Sequence, residues 1–441
     1  MHRVYPEGRP FRACGGAQPV GPFASAQQLR PEASSHFGVA PLHSFSGGAD
    51  GGGKILNLAV DSDGALYGTT SGGGASNLGV VFKLTPPEPG KSKWTETILY
   101  TFSGADGAIP IFTPTINSQG ALYGATTSGG SGNYGVAFKL TPPAPPATQW
   151  VETKMVDFNF SIGENPQGAF VMDSSGALYG GAYSGGASYR GTVYKLTPPG
   201  SGVALYNFTG GADGGQPGLT FAMDANHALY GAAGIGGANR YGVVFKLTPP
   251  GANCTPTAPN LWCETVLYNF AGGADGGSPV GVIMDAHGAL YGATFLGGAG
   301  GYGQVFKLTP PTAPATQWTK TELYSFTGGA DGANPYSAPV LLGGALYGAV
   351  PYGGGCSLDP NCGSIYRLNP PVPPSTQWTE ETLWTFTGGM DGARPYAGLT
   401  IVPVNFGLGV YGATASQVFA LQCLPRAREV LGGALQTACA R

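Results

Sequence analysis

The chain has 441 residues, with Lys+Arg 21 against Asp+Glu 24, only 10% charged residues, 77 Gly and 38 Pro. A net charge of −3 leaves no basic stripe for nucleic acid. The 42% hydrophobic content, with 22 Tyr and 21 Phe, excludes bulk disorder because so many aromatics bury a core.

Residues 1–41 carry Arg3, Arg9, Arg12 and Arg30 without the uninterrupted apolar run of a signal peptide. They read as an irregular tail. From residue 42 an internal period takes over. Leu-Tyr-Gly recurs at residues 66–68, 122–124, 178–180, 229–231, 290–292 and 346–348, and Val-Tyr-Gly stands at 410–412. The step is about 57 residues. Each copy leads through a Gly-rich stretch into an apolar run such as 81–84, then Thr-Pro-Pro and a Trp-bearing segment such as 262–270. A Gly-Gly-Ala-Asp-Gly turn and a short apolar run such as 280–285 complete the cycle.

Four short runs rich in Val, Ile, Phe and Tyr, parted by Gly, Pro and Asp turns, spell four antiparallel strands. One such sheet cannot cover both of its faces, whereas seven packed radially can. The expected fold is all-β, a seven-bladed β-propeller of four-stranded antiparallel blades over residues 42–421, with a second tail at 422–441. The run before Leu-Tyr-Gly is apolar on both faces and belongs innermost. The polar Trp segment belongs on the outer edge. Residues 42–45 therefore supply the last blade's outer strand and pair with 417–421, so that the N-terminal strand closes the ring. The uncharged stretch 340–358 is broken by glycines and Pro351 and coincides with a repeat, which excludes a transmembrane segment.

The series Phe-x-Gly-Gly-Ala-Asp-Gly, Asp-x-x-Gly-Ala-Leu-Tyr-Gly-Ala-Thr, Gly-Gly and Val-Phe-Lys-Leu resembles the bacterial GloVer tandem-repeat family over about residues 42–421. The resemblance implies an extracytoplasmic protein, secreted or at the cell surface. Family members carry varied C-terminal anchors, whereas the tail 424–441 has no long hydrophobic stretch. It implies no particular chemistry.

Seven cysteines occur. Cys254 with Cys263, and Cys356 with Cys362, are close enough in sequence for two local disulfides in an oxidising compartment; free thiols are the alternative. Cys14, Cys423 and Cys439 have no assigned partner. HExxH, Gly-x-Ser-x-Gly and phosphate-binding loop motifs are missing. The glycines at 298, 300 and 303 match a GxGxxG spacing, but they join two strands and open no helix. His227 and His287 read as solvent-facing turn residues. Lys83, Lys139, Lys195, Lys246, Lys307 and Arg367 recur in mid-strand. Their stems are expected to pack along the neighbouring blade, with the amines reaching Glu96, Glu264 or Glu322.

Strand parity singles out one face. The loops between strands two and three emerge beside the blade-to-blade crossovers, gathering Asp50, Asp106, Asp213, Asp275, Asp331 and Asp391 with Tyr134, Tyr241 and Tyr302. Acids and rings on Gly-rich loops suit a sugar, a cation or a partner chain. The local reading, in which each Asp caps its own turn, suits a motif repeated in nearly every copy. Specificity would then rest on residues that differ between copies: Arg190, Arg240, Tyr352, Arg394 and Tyr396. The resulting expectation is a monomeric, non-catalytic extracytoplasmic protein that binds a glycan or surface protein through this face, with no cofactor and no metal. The alternatives are a propeller-fold polysaccharide lyase or glycoside hydrolase, which needs two acids at catalytic separation, and a purely structural surface repeat.

Overall fold

A computed structural model describes residues 37–251, 254, 261–355, 362–404 and 407–423. Most of both tails, together with Cys14, Cys356 and Cys439, lies outside the described residues. The described chain forms seven four-stranded antiparallel sheets arranged as a propeller. The first blade runs outward in chain order through β2 (Ala59–Val60), β3 (Leu66–Thr70), β4 (Val80–Thr85) and β5 (Thr95–Thr101). Later blades repeat that order, and in the fourth the innermost strand is split into Gly215–Pro217 and Ala222–Met223. Innermost strands of neighbouring blades meet around the axis. The Thr115 hydroxyl donates to the Phe170 carbonyl at 2.8 Å, and the Thr400 hydroxyl to Leu58 at 2.6 Å.

The ring closes as the strand order requires. β1 (Phe37–Ser44) pairs antiparallel with Gln417–Cys423, matching Phe37 to Cys423 and Ser44 to Gln417, with a bulge at Leu42. The strand therefore begins at Phe37, upstream of the first repeat residue.

The recurring tripeptide follows from packing within a blade. Leu66 is fully buried. The Tyr67 hydroxyl donates to Asp61 at 2.9 Å, and the other oxygen of Asp61 accepts the N–H groups of Asp63 and Ala65 in the hairpin. Gly68 faces Phe82 across the strand pair, where an added Cβ would stand 2.4 Å from the ring. A bulky aromatic in strand three thus demands glycine in strand two.

The blades are joined by rings. Phe102, at the end of blade one, meets Phe138 of blade two with centroids 5.2 Å apart. Equivalent pairs occupy every other joint: Phe158–Tyr194, Phe208–Phe245, Phe270–Phe306, Phe326–Tyr366, Phe386–Phe419 and, across the closure, Phe45–Phe82. Such contacts add about 0.5–1.5 kcal/mol each beyond the area they bury. A backbone latch reinforces six joints. Ile109, Asn165, Gln216, Ser278, Asn334 and Arg394 all have φ between 51° and 58°, and each precedes a proline. That conformation turns each N–H back onto the preceding blade, as from Ile109 to the Leu78 carbonyl at 2.9 Å. The following Pro110 then lies on Gly79, where a Cβ would fall 2.5 Å from the proline Cδ.

Of the repeated basic residues Arg367 pairs with an edge-strand glutamate, Glu381, whereas the lysines do not reach Glu96, Glu264 or Glu322. Lys83 stands opposite Thr97, while Glu96 stands opposite Leu84 and shares the other side of the sheet. The Lys83 amine lies 5.2 Å from the centre of the Tyr67 ring in its own blade and 3.8 Å from Asp61. The same cation–ring pair recurs at Lys139, Lys195, Lys246 and Lys307.

A disulfide ties Cys254, in the preceding loop, to Cys263, the first residue of the outer strand of blade four, with Cα atoms 5.6 Å apart. Cys362 is also disulfide-bonded. Replacing both Cys254 and Cys263 by Ser is expected to lower stability by about 2–3 kcal/mol, from the small loop released. A denaturation midpoint that does not move would show that the bridge constrains nothing.

Candidate binding face

Crossovers and second-to-third-strand loops share one face. Gly52 bridges Gly72, Ala108 bridges Ser128 and Ala333 bridges Tyr352, so each crossover is stitched to the loop of the blade it enters. All six predicted aspartates and all three predicted tyrosines belong to these two sets of segments.

The aspartates are occupied by their own turns. Asp50 accepts from the Ser46 N–H and hydroxyl, Asp106 from Ser103 and the Tyr100 hydroxyl, and Asp213 from Thr209 and the Tyr206 hydroxyl. Asp331 accepts from Thr327 and Tyr324, and Asp391 from Thr387 and the Trp384 indole. Asp275 accepts from the Ala271 N–H, the Tyr268 hydroxyl and Lys320. Burial alone would raise the carboxyls of Asp50 and Asp106, but these donors outweigh it and hold both below the ordinary aspartate value. The carboxylates shape the face more than they offer it to a ligand.

Behind four of these turns lies a second acid; the sequence reading named Glu96 and Glu264 only as partners for the lysines and did not name Glu152 or Glu380. Glu96, Glu152, Glu264 and Glu380 occupy equivalent places on the outer strands. Burial raises each carboxyl, and repulsion from Asp50, Asp106, Asp213 and Asp331 respectively adds to it. The result is about 8 for Glu264 and about 7 for the other three. In blade five the same place holds Lys320, whose amine lies 2.9 Å from Asp275 Oδ1 and 2.6 Å from the Asp275 carbonyl, with its side chain only 8% exposed.

The tyrosines behave differently. Tyr134, Tyr241 and Tyr302 are exposed, the last two by 46%. Tyr241 lies against Gly272, and Tyr302 against Gly328, of the following crossover. Tyr189, 66% exposed and 4.5 Å from the Phe160 ring, fills the gap in blade three. Exposed rings thus run through four consecutive blades.

A second aromatic group lies nearer the axis, where second strands end and crossovers turn inward. Tyr336 packs edge-on to Tyr396 at 5.6 Å and to Phe295 at 6.1 Å, while Tyr352 meets Tyr396 at 6.1 Å. Tyr183 of blade three is close enough to act electrostatically on Tyr336. Lys54 lies 5.0 Å over the Tyr396 ring. Burial, and then a hydrogen bond shared with Tyr352, push the Tyr396 phenol up to about 12, with Arg394 opposing. Tyr352, Arg394 and Tyr396 stand out in the sequence as departures from the repeat. Lys54, Tyr183, Phe295 and Tyr336 could have been found by the same test, as residues that differ between aligned copies.

The fold and the repeat define a propeller built from a bacterial tandem repeat. The chain belongs to the Gloeobacter/Verrucomicrobia repeat family, whose model matches residues 29–156, 112–355 and 255–419. No curated protein matches it. Among solved structures it is similar to the extracellular domain of a one-component system from B. thetaiotaomicron, with 12% identity and a TM-score of 0.51. That alignment covers 88% of this chain and 42% of the other, so this chain spans less than half of its length. An ulvan-acting polysaccharide lyase bound to its sugar is similar at 11% identity and a TM-score of 0.44, over 87% of this chain and 95% of that one. At such identities the likeness concerns the propeller alone.

Proposed function

We propose that this chain is a non-catalytic extracytoplasmic propeller that binds a glycan through its loop-rich face. One observation carries the reading. Among the described residues, nine of the twelve large apolar side chains left exposed lie on that face: Ile109, Tyr134, Phe160, Tyr183, Tyr189, Tyr241, Leu296, Tyr302 and Met390. Concentrated exposed apolar surface marks an interaction site. Here it is largely tyrosine, set out blade by blade among glycines, which suits flat sugar rings bearing hydroxyls. The Cys254–Cys263 disulfide supports an oxidising compartment, and no helix among the described residues is long and apolar enough to cross a membrane. The close carboxyl pairs sit against outer strands rather than at the axis, which favours binding over glycoside cleavage.

The test is a glycan array probed with the full chain and with the Tyr241→Ala/Tyr302→Ala variant. Binding to at least one glycan, weakened tenfold or more in the variant, is the expected result. A surface protein captured in place of any glycan would overturn the choice of ligand. Equal binding by both chains would remove the tyrosine arc from the site.

A further inference from the structure

We infer that the rim of the propeller at the joint of blades two and three docks an extended peptide of a partner protein, paired with an edge strand and seating one aromatic side chain in the joint. The site lies away from the loop-rich face and goes beyond the glycan reading. It is built on a missing side chain. At the start of each blade's outer strand, an aromatic residue reaches back to the preceding blade. Trp94, Trp150, Trp262 and Trp318 each lie 5.9–6.4 Å from that blade's Leu-Tyr-Gly or Val-Tyr-Gly tyrosine. Trp378 packs on the cluster around Tyr291, and Phe37, with Tyr347, on the one around Phe386. Blade three breaks the rule. Pro198, Pro199 and Gly200 alone separate Thr197 from its partner Ser201, so Gly200 stands in the aromatic position. The buried cluster at this joint, which holds Tyr123 and Tyr194, includes no Trp.

The gap is only partly closed. Met155 takes the place that Leu42, Leu99, Leu205, Leu267, Leu323 and Leu383 hold in the other blades, and its longer, flexible side chain fills part of the space. Gly200 closes on the Met155 carbonyl, where an added Cβ would stand 2.7 Å away. A cleft of about 520 Å³ is left between Lys154 and Met155 on one side and the turn Thr197–Ser201 on the other, within the roughly 300–1,000 Å³ of ligand pockets. The edge beside it is open. The outer strand Ser201–Asn207 ends its sheet and carries no charge. The outer strands of blades one, two, four, five and six each carry Glu or Lys, and that of blade seven has Pro41 and a bulge. Such features keep an edge unpaired. Among the described residues three large apolar side chains are exposed outside the loop-rich face, Val151, Val203 and Val372. Two of them, Val151 at 60% and Val203 at 43%, belong to the two outer strands that line the cleft. An uncharged edge offers main-chain hydrogen bonds to an incoming strand, and a cleft beside it selects a side chain. The filled joints show which one. It is an aromatic ring, set here against Met155, the two prolines and the stem of Lys154.

The probe is a synthetic peptide of residues 315–325, which carries the Trp and outer strand of blade five. Added to the full chain with isotope-labelled methionine methyls, it should shift the Met155 signal. Trp318→Ala in the peptide should weaken binding at least tenfold. Val203→Glu in the protein should do the same without lowering the melting temperature, because it faces Lys195 as Glu381 faces Arg367 in blade six. A chain whose residues 198–200 are replaced by its own 310–318 supplies the absent Trp from within and should lose peptide binding. The Tyr241→Ala/Tyr302→Ala variant should bind the peptide as the parent does, which separates this site from the glycan reading. An unmoved Met155 signal, equal binding of the Trp and Ala peptides, or binding untouched by Val203→Glu would each overturn the proposal. Self-association of the parent chain, abolished by Val203→Glu, would overturn the choice of occupant in favour of a second copy.

Discussion

Removing residues 1–44 should unfold or aggregate the whole propeller, even though every Leu-Tyr-Gly repeat remains. β1 is the only partner for the outer side of Gln417–Cys423 among the described residues. Without it an unpaired edge faces solvent, ready to accept another chain. Phe37 and Val39 also leave the cluster around Phe386 and Phe419, and Leu42 leaves the one around Phe45 and Phe82. Those two clusters span the joints on either side of blade seven, so the loss falls where the ring is sealed. The expected outcome is a melting temperature lower by on the order of 10 °C or more, with concentration-dependent association in ultracentrifugation. A peptide of residues 37–44 added in trans should restore part of the loss by strand addition. A truncated chain that stays monomeric and melts like the parent would show that blade seven does not depend on closure.

The number of blades and their strand order were legible because they rest on local spacing. Leu-Tyr-Gly reports a buried Leu, a Tyr tied to a hairpin acid and a glycine under an aromatic ring, and these demands are met within one blade. Closure by the N-terminal strand followed from counting strands. The partners of the lysines were not legible. They lie on the side of the second strand, where the regular pairing sets Lys83 opposite Tyr67, whereas the sequence reading looked to the fourth strand. Strand parity assigned the aspartates to the crossover face, but their hydrogen bonds could not be counted without coordinates. The aromatic group near the axis is the extreme case. Tyr183, Tyr336 and Tyr396 become neighbours only when blades three, six and seven are brought round one axis, so no sequence window contains them together.

Stability should fall as pH rises from about 4.5 to about 8, and four residues should account for the slope. Glu96, Glu152, Glu264 and Glu380 hold their protons in the folded chain to about 7 or 8, whereas an unfolded glutamate releases its proton near 4.3. Between those values the folded state binds more protons, so each pH increment favours unfolding. The penalty is complete above the folded values and vanishes below the unfolded one. Its causes are geometric. Oxygens of Glu96, Glu152 and Glu264 are buried without hydrogen-bond partners, and the turns that hold Asp50 and Asp106 keep those two carboxyls below the ordinary aspartate value. Around Glu96 the facing groups are Asp50 and His43, whose Nε2 lies 3.4 Å away. Burial lowers the His43 imidazole, with Asp50 opposing and Lys93 assisting, so His43 is a poor counter-charge. Lys154 eases the repulsion at Glu152, whereas Glu381 adds to it at Glu380, where a hydrogen bond from Thr382 opposes. The lowered Asp50 and Asp106 work in the other sense, losing stability only as pH drops below the ordinary aspartate value. A stability maximum near pH 4–5 follows. Changing all four glutamates to Gln should recover about 1 kcal/mol per site at pH 8 once solvent screening is allowed for, raising the melting temperature by a few degrees. The same variant should leave stability at pH 4.5 nearly unchanged. Lys320 provides the internal control, because at its joint the strand supplies the cation that Asp275 would otherwise lack. Lys320→Glu should therefore steepen the loss between about pH 4.5 and pH 8 and have its smallest effect below pH 5. A flat pH profile in the parent chain, or a slope retained by the fourfold Gln variant, would show that these joints tolerate paired carboxylates.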